Sequence, residues 1–451
     1  MQNKEMGGIS VAELGIWLVY ISLLLVLLVV FRVSKKEAHY RFFLPAFMLK
    51  VIGGLGFAVI YIYYYKFGDT FLYHRGASIL ADTLVDSPGD YFRLLASSNA
   101  NLPMDLSNFT TSISYSRGAE EWFMVKLLSP ISLLSFGSYL VTTLIMSAIS
   151  FFGGWKLFLV FRDLLPKREL LAFAAAFLIP SALFWGGGIM KDTFTLTGIN
   201  LVIYGLYFTV FKGRVHIGKY VLVAVSAFIV FYLKGYVILA FIPGLLFGIN
   251  GLIKRVAQNQ LLQQTLGAVF LAITVAMIYF GPQYLGSASS KYTASALEGR
   301  VKGFHTWHTD VGGATYNLGE VEYTAVGIIL KIPSALNVTF FRPYLWESGN
   351  PVVLLAALES TLLFLLFLYI LVKLRWRMFS GIREKPILVT LYIYCLIFGF
   401  VVGFTSYNFG ALGRYKIPIY SVFVFILFYL LAKVREDKSP VVSEEVLDQG
   451  F

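Results

Sequence analysis

The chain of 451 residues is 58% hydrophobic and only 14% charged, and apolar stretches long enough to cross a bilayer recur from Val11 to Leu431, which excludes a soluble globule. Its formal charge of +12 falls in short clusters between those stretches rather than along one face, so the basic residues read as topology signals and not as a nucleic-acid surface. The single cysteine, Cys395, permits neither an intramolecular disulfide nor a multi-thiolate zinc site.

Hydropathy places spans at about 11–31, 43–65, 133–160, 170–188, 194–211, 219–233, 235–252, 264–284, 351–372, 387–404 and 417–432. The expected fold class is an all-α polytopic membrane protein with about 11 transmembrane helices. One transmembrane domain over 1–435 is followed by a polar cytoplasmic tail over 436–451. The first span is long and lacks a small-residue cleavage site after it, which predicts a retained span and a mature chain beginning at Met1. The short connections 32–41, 162–168, 212–219, 254–255, 373–385 and the start of the tail are rich in Lys and Arg, which assigns them to the cytoplasm and the N-terminus to the outside. Two long outer segments result, about 66–132 and 285–350, the first with short helices expected in the interface. The sixth and seventh spans are joined only by Lys234-Gly235, so they are either separate spans or one kinked or re-entrant pair.

Asp69 stands where the second span leaves the membrane, after the flexible Gly68, and a partly dehydrated carboxylate there suits a general base; the alternative is a cap for the next helix. His74 and Arg75 follow, the arginine placed to hold an anionic group or simply to meet solvent and headgroups. Asp82, Asp86 and Asp90 recur every four residues, a spacing that admits a divalent cation, although Pro88-Gly89 breaks the helix before the third. Gly186-Gly187-Gly188 precedes Lys191-Asp192, which suggests either an anion site at a helix N-terminus or a flexible turn capped by Asp192. Arg342-Pro343-Tyr344-Leu345-Trp346-Glu347 and Gly413-Arg414-Tyr415-Lys416 precede later spans. Lys191, Arg342, Arg414 and Lys416 are more cations than headgroup anchoring needs, and an arginine fork fits a phosphate bidentately. His305, Trp307 and His308 suit stacking on a sugar ring or, less readily, a metal; no metal ligands are assigned.

The Gly68-Asp69 pair at the head of a long outer loop resembles the GT-C class of membrane glycosyltransferases, which use polyprenyl-phosphate-linked sugars. The phrases Phe184-Trp185 … Met190-Lys191-Asp192, Phe341-Arg342-Pro343 … Trp346-Glu347 and Gly413-Arg414-Tyr415-Lys416 are similar to uncharacterised membrane proteins of bacterial exopolysaccharide and O-antigen loci. The resemblance implies a multi-pass protein of the bacterial inner (plasma) membrane. Its partners would be a polyprenyl-phosphate sugar, a glycan or lipid acceptor and the bilayer, with no nucleic acid. It makes Asp69 the base that deprotonates an acceptor hydroxyl, with inversion at the anomeric carbon. Lys191, Arg342, Arg414, Lys416 and Arg75 would bind the donor phosphate, and His74, Trp307, Tyr344, Trp346 and Glu347 would contact sugar or acceptor. It implies no certain cofactor beyond the possible divalent cation. An O-antigen-type polymerase or ligase is the nearest alternative. A lipid-linked glycan transporter or flippase is a second, with Lys50 and the glycine-broken sixth and seventh spans as pathway residues.

Overall fold

In hydrocarbon no water is at hand for backbone amides and carbonyls, so an apolar stretch of this length satisfies them internally as a helix. The computed structural model describes residues 8–214, 216–256, 314–322 and 324–436, with Gly299 and Gly303 besides. In chain order the helices are α1 (Val11–Val33), α2 (Phe43–Ile60), α3 (Asp69–Asp86), α4 (Pro88–Ala96), α5 (Ser107–Ser112), α6 (Ala119–Leu134), α7 (Tyr139–Leu164), α8 (Glu169–Phe177), α9 (Pro180–Trp185) and α10 (Lys191–Leu206). They continue with α11 (Ile217–Val256), α12 (Ala325–Leu330), α13 (Ile332–Phe341), α14 (Pro351–Leu374), α15 (Arg377–Arg383), α16 (Pro386–Thr405), α17 (Phe409–Tyr415) and α18 (Ile417–Glu436).

Among the described residues, eight helices are long and apolar enough to cross a membrane. The most apolar stretch of α1 is only 6% buried and that of α14 only 22%, so rows of valine, leucine and phenylalanine face outward. Only lipid makes such surfaces favourable. The protein is a multi-pass, all-α membrane protein.

Three features separate these eight helices from the eleven expected spans. The stretch 264–284 lies outside the described residues. The stretch 170–188 is two short helices, α8 and α9, because Pro180 has no amide to continue the hydrogen-bond ladder. The stretches 219–233 and 235–252 lie within α11 as two helical arms that meet at one non-helical residue, Lys234 (φ −151°, ψ 70°).

That residue reverses the chain. Gly198 of α10 packs against Val230, and Gly205 against Val223, while Gly248 meets Phe211 at the end of the same helix. In a straight helix Val223 and Gly248 would stand roughly 38 Å apart. Beyond Lys234, Tyr236 stacks on Phe398 at 5.9 Å and Phe241 meets Tyr394 at 5.2 Å, so the second arm runs back along α16. α11 is thus a helical hairpin with Lys234 at its tip.

The remaining contacts set two ends. At one, basic connections pair with acids: Arg41 and Arg162 with Glu169 (3.3 and 2.6 Å), Lys212 with Asp163 (2.8 Å) and Lys433 with Glu384 (3.0 Å). Residues of the opposite end, including the start of α1 through Glu13 and Ser138, collect the first residues of α3, α7 and α10, the tip of α11 and helix α17. There α3 packs on α6, and α4 on α3, as a cap over the bundle.

Candidate functional site

The turn between α2 and α3 fixes the first site residue. A π-turn, Tyr61–Tyr65, closes α2, and Lys66 takes a left-handed conformation (φ 59°) so that its amide bonds Tyr61 O at 2.8 Å. Gly68 then sits at φ 135°, where a side chain is strained, and an added Cβ would lie 2.9 Å from the Tyr61 ring. Asp69 is therefore held as the first residue of α3. Its carboxylate accepts the Tyr115 hydroxyl at 2.7 Å and Arg414 Nη1 at 3.2 Å, and 40% of the side chain remains exposed.

Arg414 reaches this point from α17, which Asn408 caps by accepting the Gly410 and Ala411 amides. Its Nε faces the Asp192 carboxylate at 3.4 Å, and Asp192 in turn takes the ammonium of Lys234. Asp192 is 2% exposed and Lys234 7%. Burial alone would lower Arg414, but the carboxylates of Asp192 and Asp69 outweigh it and hold the guanidinium above its ordinary range. Burial, then the bond to Asp69, pushes the Tyr115 hydroxyl up, so it stays a proton donor to that carboxylate. The order Tyr115, Asp69, Arg414, Asp192, Lys234 joins the loop before α6 to α3, α17, α10 and the α11 tip. Alongside, Lys191 binds Glu120 at 3.1 Å and Glu121 at 3.0 Å.

Three expected site residues therefore share one end: Asp69, Arg414 and Lys191. Arg342 lies apart, ion-paired with Glu347 and 5.5 Å from the ring of Phe409, at the far end of α17 from Arg414. Tyr344 and Trp346 belong to that second cluster, stacked at 4.8 Å, with Asn337 bonded to the Tyr344 hydroxyl at 2.9 Å and Trp346 82% exposed. Lys416 is buried over the Tyr420 ring at 4.2 Å, with no ion pair among the described residues. Arg75 is exposed and has no partner among the described residues. His74 turns edge-on to Tyr139 at 5.4 Å, on the face toward α7. Trp307, His305 and His308 lie outside the described residues.

The glycines before α10 do not open the backbone to a phosphate. Gly186 to Gly188 are buried against α2: an added Cβ on Gly187 would stand 2.8 Å from the Gly54 amide, and one on Gly188 2.3 Å from the Phe57 ring. They let the turn approach α2 closely and so place Asp192. Nor do Asp82, Asp86 and Asp90 gather. Asp90 instead accepts from Ser87 and pairs with Arg93 at 2.9 Å, and no group of three His, Cys, Asp or Glu side chains suits a metal among the described residues.

Lys234 and Asp192 carry more of the geometry than sequence assigned them, as a turn residue and a cap. Both are ionisable at membrane depth, the signal that marks them. Tyr115 and the Glu120–Glu121 pair had no such signal. Comparison with family models, with curated proteins and with solved structures finds no match.

Replacing Asp192 with Asn leaves two cations buried beside it. We expect Asp192→Asn to cost about 3–5 kcal/mol of stability and Asp192→Asn with Lys234→Met to recover part of the loss, read from thermal unfolding in detergent. If the losses of Asp192→Asn and Lys234→Met, each measured alone, simply add in the double variant, Asp192 and Lys234 are not coupled. His74 carries a pH signature. Burial, only partly offset by hydrogen bonds to the Gly137 and Ser138 backbone, pushes it down to about 4. The unfolded chain takes up this proton at about 6.5. Stability should be full above that pH and fall as pH drops from there toward 4. His74→Leu should flatten this slope, and an unchanged slope would contradict a buried neutral imidazole.

Proposed function

We propose that the protein is a membrane glycosyltransferase that moves a sugar from a polyprenyl-phosphate donor to a glycan or lipid acceptor, with Asp69 as general base. The observation that carries this reading is the pairing of Asp69 with Arg414 at the rim of the bundle. A partly exposed carboxylate is oriented by a phenol on one oxygen and a guanidinium on the other. A base must be fixed and must also be reachable.

Arg414 would serve the donor. Arg414 Nη1 donates to Asp69 and Nη2 to Tyr415, while Nε faces Asp192 at 3.4 Å without a hydrogen bond, so each Nη keeps a second N–H that would serve a phosphate oxygen. Asp192 and Lys234 keep that guanidinium in place, so it needs no reorganisation as charge develops on the departing phosphate. In this reading Arg342 and Lys416 are positioning or anchoring groups, and Lys191 braces α10 against α6. The basic connections at the other end support an orientation with the site outside and the C-terminal end of α18 in the cytoplasm. A plasma membrane, the bacterial inner membrane, suits that arrangement. An O-antigen-type polymerase or ligase would use the same pairing, and product length separates it from single-sugar transfer.

A specific observation favours a second reading, transport of a lipid-linked glycan. The break between α8 and α9 sits beside buried Lys50, which donates to Ala182 O at 3.3 Å, and Glu359, which accepts the Ser181 amide at 2.9 Å and its hydroxyl at 2.7 Å. Broken helices contacted by membrane-embedded charges line substrate paths in transporters.

The two part on donor cleavage. Membranes containing the protein and its glycan or lipid acceptor, given a donor labelled in the sugar, should move the label onto the acceptor and release polyprenyl phosphate, and Asp69→Asn should slow this by about 10²–10⁴-fold with insertion unchanged. Retained turnover in Asp69→Asn would remove it as base. Movement of intact donor across sealed vesicles without cleavage would favour transport.

A further inference from the structure

A cavity of about 600 Å³ lies between α13, α14, α15, α16 and α18, reaching from Asn337 on α13 to Arg375 just beyond α14. Its walls are almost wholly apolar, among them Phe341, Phe367, Leu371, Cys395, Phe423 and Leu427. Its size falls in the range of roughly 300–1,000 Å³ that small-molecule sites occupy. One charged group borders it, Arg375, at the basic end of the molecule just beyond the last residue of α14.

Arg375 differs from the cations of the functional site. Arg414, Lys191 and Lys234 each have carboxylate partners, whereas Arg375 is exposed and has none among the described residues. Its backbone is held at φ 46°, ψ −128°, a region costly for a residue with a side chain, with its amide bonded to Leu371 O at 2.8 Å. Trp376 beside it is 83% exposed and stacks on Phe379 at 6.0 Å, as an aromatic does at the headgroup level. An unpaired guanidinium at headgroup depth over an apolar cleft complements a molecule with a phosphate at one end and a hydrocarbon chain at the other.

We propose that this cavity binds the acyl chain of an anionic glycerophospholipid, with its phosphate held by Arg375. The occupant is a lipid of the leaflet at the basic end, where basic pockets between helices recruit anionic headgroups. It is not the sugar donor, whose phosphate would lie at the opposite end with Arg414.

The test is native mass spectrometry of the full chain with phosphatidylglycerol and phosphatidylcholine of matched chains. One phosphatidylglycerol should be retained with about a five-fold or greater preference. Arg375→Ala should abolish the preference, Arg375→Lys should keep part of it, and Leu371→Trp, which fills the cleft from a half-exposed position, should release the bound lipid. Equal retention of the two lipids, or an unchanged preference in Arg375→Ala, would overturn the proposal. Displacement of phosphatidylglycerol by polyprenyl phosphate at lower concentration would also overturn it, by giving the cleft to the donor's class.

Discussion

One guanidinium holds the site end together. Arg414 is shared between Asp69 on α3 and Asp192 on α10, and Asp192 also neutralises Lys234 at the tip of α11. Asp192 and Lys234 are both buried and neutralise one another, so removal of either strands the other. The arrangement therefore ties four segments, distant in sequence, to a single geometry. The tight turns serve it: Gly68 starts α3 at Asp69, and the close packing of Gly187 and Gly188 on α2 starts α10 beside Asp192. α17 is short, so Arg414 reaches inward where α18 begins.

Much of this was legible in the sequence, and the parts that were not share a cause. Helix positions followed from apolar length, because a bilayer leaves the backbone no other solution. Asp69, Lys191 and Arg414 stood out as ionisable groups at the ends of apolar stretches, and they meet at one end. Their partners were less visible. Tyr115 is an ordinary residue of a polar loop, and Glu120 and Glu121 open a helix as acids commonly do. Lys234 was expected at the joint of two spans or of one kinked or re-entrant pair, and the packing of Gly198, Gly205 and Gly248 on their neighbours shows the reversal there; its ion pair with Asp192 was the part not legible. Gly186 to Gly188 suggested a phosphate cradle by composition, and their burial gives them to helix packing instead. Glycine content alone does not separate a backbone open to a ligand from one pressed against a helix.

The electrostatics also bear on chemistry. Each central cation faces a carboxylate, so under the proposed reading a donor phosphate would share Arg414 with Asp69 and Asp192. That arrangement suits transition-state stabilisation better than tight ground-state binding, since a guanidinium already fixed in orientation gains most when charge appears nearby. Asp69 is the exposed member and Asp192 the buried one, so under the proposed reading Asp69 would react and Asp192 would support it.

The most direct measurement is an experimental structure in lipid nanodiscs with a non-hydrolysable polyprenyl-phosphate sugar bound. The account predicts phosphate density within hydrogen-bond reach of Arg414, the sugar over the exposed side of Asp69, and the Asp192–Lys234 pair unmoved. Donor bound along the break between α8 and α9, with no donor contact at Asp69 or Arg414, would contradict it.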